Sequence, residues 1–317
     1  MQELLARVST HLLIPCLFAL WLARSSATSR VEWAIDALLF WSYVVLVFLA
    51  GSWAFLGYGV RYLGPVLLLA GTVRGARRLA SRPVRPRGRL RPAVLGTLAL
   101  VLLFAALQAV VAQSPGKPTL ALVFPLRDGT YYVLEGGRHP WVNRFAGVDS
   151  LRCAVEFARL GSRGRIDRGT DPSVWSPLSG RVISVSGGVV AIAGAEAGAR
   201  ADAEATGDSS AVTSSRAGAR AEAGATGDSS AVVTSSRTEV VVKLWPVRMV
   251  EVQVGAWVDS ETRLGQLEPG ESGVRSLSVA AQRGGDPAPI RFGGHYLARN
   301  ALFRARQTPV RSTSEEL

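Results

Sequence analysis

The chain has 317 residues, 48% of them hydrophobic, with a mean hydropathy of +0.21. That is too apolar for an intrinsically disordered protein and high for an ordinary soluble one. The formal charge is +12, from 36 Lys and Arg against 24 Asp and Glu.

The charge is divided unevenly. Residues 1–112 carry 12 Arg and 3 acids, a net of +9; residues 113–317 carry 24 basic and 21 acidic residues, a net of +3. A duplex-binding protein needs its positive face on the water-exposed domain. Here the excess accompanies the apolar half, which argues against nucleic acid and for a membrane topology signal. Two isolated cysteines, Cys16 and Cys153, make no disulfide framework and no CxxC metal pair.

Four apolar runs precede residue 113. Val8–Ala23, Ala37–Val60 and Ala93–Ala112 are long enough to span, the first with Leu4–Ala6 added and Arg7 snorkelling. Tyr62–Val73 is short and needs Arg61 at an interface or buried in the bundle. The first run has both Glu3 and Arg7 in its flank and another apolar run soon after, so it reads as a retained helix, not a cleaved signal. Residues 74–92 hold eight Arg, and short Arg-rich loops stay cytoplasmic. The fourth run then crosses outward, residues 113–118 form a linker, and the remainder lies outside the cytoplasm.

After the linker the periodicity becomes that of strands. Leu120–Phe124, Tyr131–Leu134 after an Asp128-Gly129 turn, Val182–Val185, Val189–Ile192, Val240–Leu244 and Val250–Val254 are short, β-branched and bounded by turn residues. Val155–Leu160 with its flanks is expected to form a short helix. Residues 195–237 contain a tandem repeat, GARADAEATGDSSAVTSSR followed by GARAEAGATGDSSAVVTSSR, nearly free of large apolar residues. It reads as a disordered insertion, with a closure cost of roughly 2 kcal/mol over a tight loop.

Several segments resemble the LytM/lysostaphin-type zinc peptidases, which cut peptide cross-links of the bacterial wall. FPLRDGTYYVLEGG (124–137) looks like the lead-in strand. VNRFAGVDSLRCAVEF (142–157) resembles the first metal motif, Asn-x-His followed by Arg-Tyr-Ala-x-Asp. WSPLSGRVISV (175–185) resembles a hairpin segment, and VVVKLWPVRMVEVQVGAWVDSETRLGQL (240–267) the strand with a His-Leu pair and the stretch after it. SLSVAAQ (276–282) stands where the family writes His-x-His, and PIRFGGHYLARN (289–300) resembles the closing strand. The resemblance implies an α-helical membrane anchor of 3–4 transmembrane helices (1–112) plus an antiparallel β-rich, LytM/lysostaphin-like extracytoplasmic domain (119–303) with a tail (304–317).

The same resemblance implies a lost metal site. Phe145 stands for a His, Glu156 for an Asp, Ser276 and Ser278 for two His, and Lys243, or Leu244 if the register shifts by one, for the strand His. A catalytic zinc needs three protein ligands and an activated water. Phe145 has no donor and a Ser hydroxyl is a poor ligand, so no catalytic residue, metal ligand or cofactor is expected. Glu156 is expected to pair with Arg152 or Lys243. His139 and His295 match no ligand position. The implied protein is a multi-pass one of the bacterial cytoplasmic membrane, without hydrolysis, that binds peptidoglycan or regulates a wall hydrolase. Two alternatives remain open: an active zinc endopeptidase, and a structural membrane protein that docks a partner.

Overall fold

The computed structural model describes residues 2–24, 29–79, 83–84, 88, 90–169, 172–194, 239–270 and 273–305. The repeat at 195–237, most of the tail and part of the Arg-rich loop lie outside these residues.

The amino-terminal half is helical: α1 (Gln2–Val8), a π-helical turn (Ser9–Leu13), α2 (Ile14–Arg24), α3 (Arg30–Ala50), α4 (Leu63–Ala76) and α5 (Leu90–Ala112). Ser29 caps α3, its side chain accepting from the Glu32 amide at 3.2 Å. Three stretches are long and apolar enough to cross a membrane: Leu5–Arg24, Arg30–Ala50 and Leu90–Ala112. The third run makes a 14-residue helix, about 21 Å long at 1.5 Å per residue, short of a roughly 30 Å hydrocarbon core. It packs instead on α2. Gly71 and Gly75 face the Ala19 and Leu22 carbonyls, where no Cβ would fit, so small residues set the helix separation. Arg61, just before α4, is buried.

The second half is β: β1 (Leu120–Leu122), β2 (Gly129–Glu135), β3 (Val155–Leu160), β4 (Ser173–Trp175), β5 (Gly180–Ser186), β6 (Val189–Gly194), β7 (Val240–Trp245), β8 (Val247–Arg248), β9 (Trp257–Val258), β10 (Arg263–Leu267), β11 (Ser276–Arg283), β12 (Asp286–Ala288), β13 (Ile290–Phe292), β14 (His295–Tyr296) and β15 (Leu302–Ala305). The large sheet runs β15-β2-β3-β11-β7-β6-β5-β9, with β12 on β11, and every pairing in it is antiparallel. Two small sheets, β1-β13-β14 and β4-β10-β8, accompany it, and β1 with β13 is a parallel pair. Asp128 and Gly129 take positive φ at the expected turn before β2.

Two expectations are corrected. Val155–Leu160 is a strand, not a helix: it pairs on both sides, with β2 and β11, and strand pairing outweighs a weak local helical pattern. Val250–Val254 forms no strand; the chain turns there between β8 and β9. The last strand runs to Ala305, past residue 303.

Alternation decides which face is core. Leu277, Val279 and Ala281 of β11, Val155 and Phe157 of β3, and Val240, Val242 and Leu244 of β7 point into one apolar cluster with Leu120, Ile290, Phe292 and Leu264. The intervening residues point to the other face.

The β half is seated on the helix ends. Val142 is buried with Ala109 and Ala112 of α5, against Leu46, Leu49 and Ala50 of α3. Asn300, in the left-handed region, donates its amide to the Leu49 carbonyl at 2.6 Å, and the Trp53 indole donates to the Val47 carbonyl at 3.1 Å. The Val47 carbonyl also accepts from the Gly51 amide at 2.8 Å, whereas the Leu49 carbonyl is one of the last four of α3 and relies on Asn300, so these contacts cap the helix and attach the sheet together. The Tyr132 hydroxyl accepts from the Trp53 amide and donates to Asn300 Oδ1. Arg61 donates to the Asn300 carbonyl at 3.2 Å and lies 3.9 Å over the Phe48 ring. The short third run therefore ends with its Arg buried between helices and sheet.

Candidate functional site

The register puts the singled-out positions together. Ser278 is opposite Glu156 on one side and Trp245 on the other, and Ala280 is opposite Lys243. By the two-residue alternation Glu156, Ser276, Ser278, Lys243 and Trp245 all lie on the non-core face. Phe145 approaches from the loop after β2, its ring edge-on to Trp245 at 5.9 Å. Four strand positions and one loop residue thus share one site, though they span residues 145 to 278.

Asn143 builds that loop. It is fully buried, its amide donating to the carbonyls of Gly137, Arg152 and Ala154. Its Oδ1 accepts from the Phe145 amide at 3.0 Å and caps the short 3-10 turn Arg144–Gly147. Asn143 therefore fixes where Phe145 lies.

Glu156 is buried, and both its oxygens are engaged. Oε2 pairs with Arg144 Nη2 at 2.9 Å and Oε1 accepts from the Ser276 hydroxyl at 2.6 Å. The cation is Arg144, not Arg152 or Lys243: Arg144 follows Asn143 in the capped turn, which carries its side chain over the β3 face. Arg144 also lies 4.9 Å over Phe145. Its backbone amide donates to Glu135 Oε2, and Glu135 is opposite Glu156 across a β-bulge.

Glu135 in turn is held by Arg299, whose Nη1 is 3.1 Å from both carboxylate oxygens and whose Nη2 donates to Ser52 at 2.7 Å. Burial pushes the Glu135 carboxyl up, Arg299 opposes this, and neighbouring Glu156 adds to the rise. A continuous polar chain, Ser52–Arg299–Glu135–Arg144–Glu156–Ser276, runs from the end of α3 to the middle of the sheet. Arg144, Trp245, Glu135 and Arg299 are the residues that sequence reading missed. All four lie inside segments already singled out (Glu135 in 124–137, Arg144 in 142–157, Trp245 in 240–267, Arg299 in 289–300), but nothing local marks them, and Glu135 and Arg299 meet only through the fold.

A zinc ion does not fit this donor set. Phe145 offers no lone pair, Lys243 is not among the side chains that hold zinc, and the carboxylate of Glu156 is neutralised by Arg144. Among the described residues no three His, Cys, Asp or Glu side chains come together. His139 sits in the turn before Trp141, and His295 is exposed on β14.

Compared with solved structures, the chain is similar to one described as a novel M23 metalloprotease, pseudoalterin, from the deep sea. The identity is 13%, over 59% of this chain and 99% of that one, with a TM-score of 0.30. No protein-family model and no curated protein matches the chain.

Proposed function

We propose that this is a membrane-anchored protein with a LytM-type outer domain that binds peptidoglycan, or a hydrolase acting on it, and does not hydrolyse. The observation that carries the reading is the ion pair at Glu156. The one acidic position of the implied metal motif is buried, hydrogen-bonded by Ser276 and neutralised by Arg144, while an aromatic pair, Phe145 on Trp245, covers the neighbouring surface.

The chemistry follows from those groups. With no acidified water and no His-like base near neutrality, the site lacks both a nucleophile and a proton shuttle for amide cleavage. It does have what recognition of a wall peptide uses: an aromatic platform, a cation half in solvent at Arg144, a second at Lys243, and Ser278 on the floor. Asn143 and the polar chain hold these in place, so little ordering accompanies binding. The three long apolar helices, with the shorter α4 carrying the chain back between the end of α3 and the start of α5, would place the domain at the outer surface of the cytoplasmic membrane, with the Arg-rich 74–92 loop inside.

Co-sedimentation of the detergent-solubilised full chain with purified sacculi tests the reading. Retention on sacculi, weakened by Arg144→Ala and Trp245→Ala, with no peptide released, is the expected result. Release of cross-link cleavage products would instead mark an active endopeptidase. Absence of retention would leave a structural protein that docks another partner.

A further inference from the structure

The β domain does not stand off from the helices on its linker. Arg138 donates its backbone amide to the carbonyl of Ala112, the last residue of α5, at 3.4 Å, and Val142 is buried against Ala109 and Ala112. The loop between β2 and β3 is therefore fixed at the level where α3 and α5 end. Trp141, immediately before Val142, is 50% exposed, and Val148 in the same loop is 49% exposed. Tyr62, just before α4, is exposed as well. Apolar and aromatic tips at a helix-end level are what a membrane–water interface selects, because an amphipathic ring is stable with one side apolar and one side wet.

Charge gathers at the same level. Lys117 of the linker, Arg138 and Arg152 are exposed and form no ion pair with any described residue. They share one neighbourhood: Lys117 and Arg152 act electrostatically on the Cys153 thiol, and Cys153 and Arg138 act on the Tyr296 phenol. The Arg138 side chain lies against Gly116. Across residues 113–118 and 137–153, leaving out Arg144, which pairs with Glu156, there are three basic residues (Lys117, Arg138, Arg152) and one acid (Asp149), a net of +2. Juxtamembrane basic residues within a Debye length of the bilayer are attracted to anionic headgroups.

We infer that the Arg138–Val148 loop and the Lys117–Arg138–Arg152 cluster form a second membrane contact, seating the β domain on the anionic phospholipid surface of the bilayer its helices cross. This rests on the helices spanning a bilayer, as proposed above, and not on any affinity for the wall. It makes the Phe145–Glu156 site membrane-proximal, because Phe145 and Arg144 belong to the same loop. The opposite edge of the sheet, β9 with Trp257, lies six strand spacings from β2, about 29 Å along the sheet.

The experiment uses the full chain with Cys16→Ser and Cys153→Ser, carrying one environment-sensitive fluorophore on Trp141→Cys, Trp257→Cys or Leu100→Cys. Leu100 is an exposed position midway along α5. The protein is placed in nanodiscs of phosphatidylcholine alone or of an equal mixture with phosphatidylglycerol, with quencher-bearing lipids or aqueous iodide. The label at 141 should be blue-shifted, quenched from the lipid side and shielded from iodide, and the label at 257 should behave oppositely. Replacing Lys117, Arg138 and Arg152 by Gln, or omitting phosphatidylglycerol, should reduce the lipid quenching at 141. A 141 label as open to iodide as the 257 label, while the Leu100 label is lipid-quenched, would overturn the inference. Equal quenching at 141 in both lipids would overturn the role given to the basic cluster. An unquenched Leu100 label would remove the membrane reading itself, and retention on sacculi tests the wall reading separately.

Discussion

The two faces of the large sheet are built by different rules. On the inner face Val155, Phe157, Val240, Val242, Leu244, Leu277 and Val279 are alike in kind: each contributes apolar area, and apolar swaps that conserve volume cost least there. On the outer face Glu156, Glu135, Arg144, Ser276 and Arg299 are not interchangeable, since each satisfies a named partner. Neighbours in sequence can therefore differ greatly in what they do. Leu244 is fully buried in the cluster, while Lys243, one residue earlier, points to the other face and is half-exposed.

The contrast is most severely challenged at the link between sheet and helices. Arg299→Ala leaves the half-buried Glu135 without its cation, and should cost about 3 kcal/mol, read by thermal or chemical unfolding. A loss no larger than a surface substitution would mean that the outer-face chain is incidental. On the inner face Leu244→Ala should cost about 2–5 kcal/mol. Lys243→Ala should stay within about 0.5 kcal/mol, and equal losses at the two positions would erase the distinction between the faces.

A smaller effect is expected at Tyr132, which joins outer face to helix end through Trp53 and Asn300. Tyr132→Phe leaves the Trp53 amide without its acceptor and should cost about 1–3 kcal/mol. The wild-type phenol gives a pH signature. Burial pushes it from 10 up to about 12, so the folded state holds the proton more tightly than the unfolded chain. The stability this contributes is complete below pH 10 and is lost as pH rises towards 12. Unfolding midpoints of Tyr132→Phe and the parent should therefore converge across that window. Ser276→Ala removes one hydrogen bond to Glu156 and should cost about 1 kcal/mol, the least of the outer-face series.

How far the sequence announces each face follows from the same rules. Inner-face strands such as Val240–Leu244 and Val189–Ile192 declare themselves through β-branched runs, because burial in a common core selects residue type. β3 does not: Val155–Leu160 contains Glu156 and Arg159, and its strand character comes from two neighbours far away in the chain. Phe145, Glu156, Lys243, Ser276 and Ser278 were legible as one group only through the family resemblance; register puts the four strand positions on one face, and Phe145 reaches that face from a loop. The partner of Glu156 was not legible, because Arg144 reaches it by way of a turn set by Asn143. Arg299 and Glu135, separated by most of the domain, had no local pattern to give them away. In the helical half, length and apolarity separated the three long stretches from α4, whose glycines instead mark its close packing on α2.

The central claim concerns what Glu156 is bound to, and metal content measures that most directly. Full chain purified without chelator and equilibrated with zinc should retain well under one equivalent by elemental analysis, before and after Glu156→Gln alike. One equivalent per chain, lost on Glu156→Gln, would contradict the account.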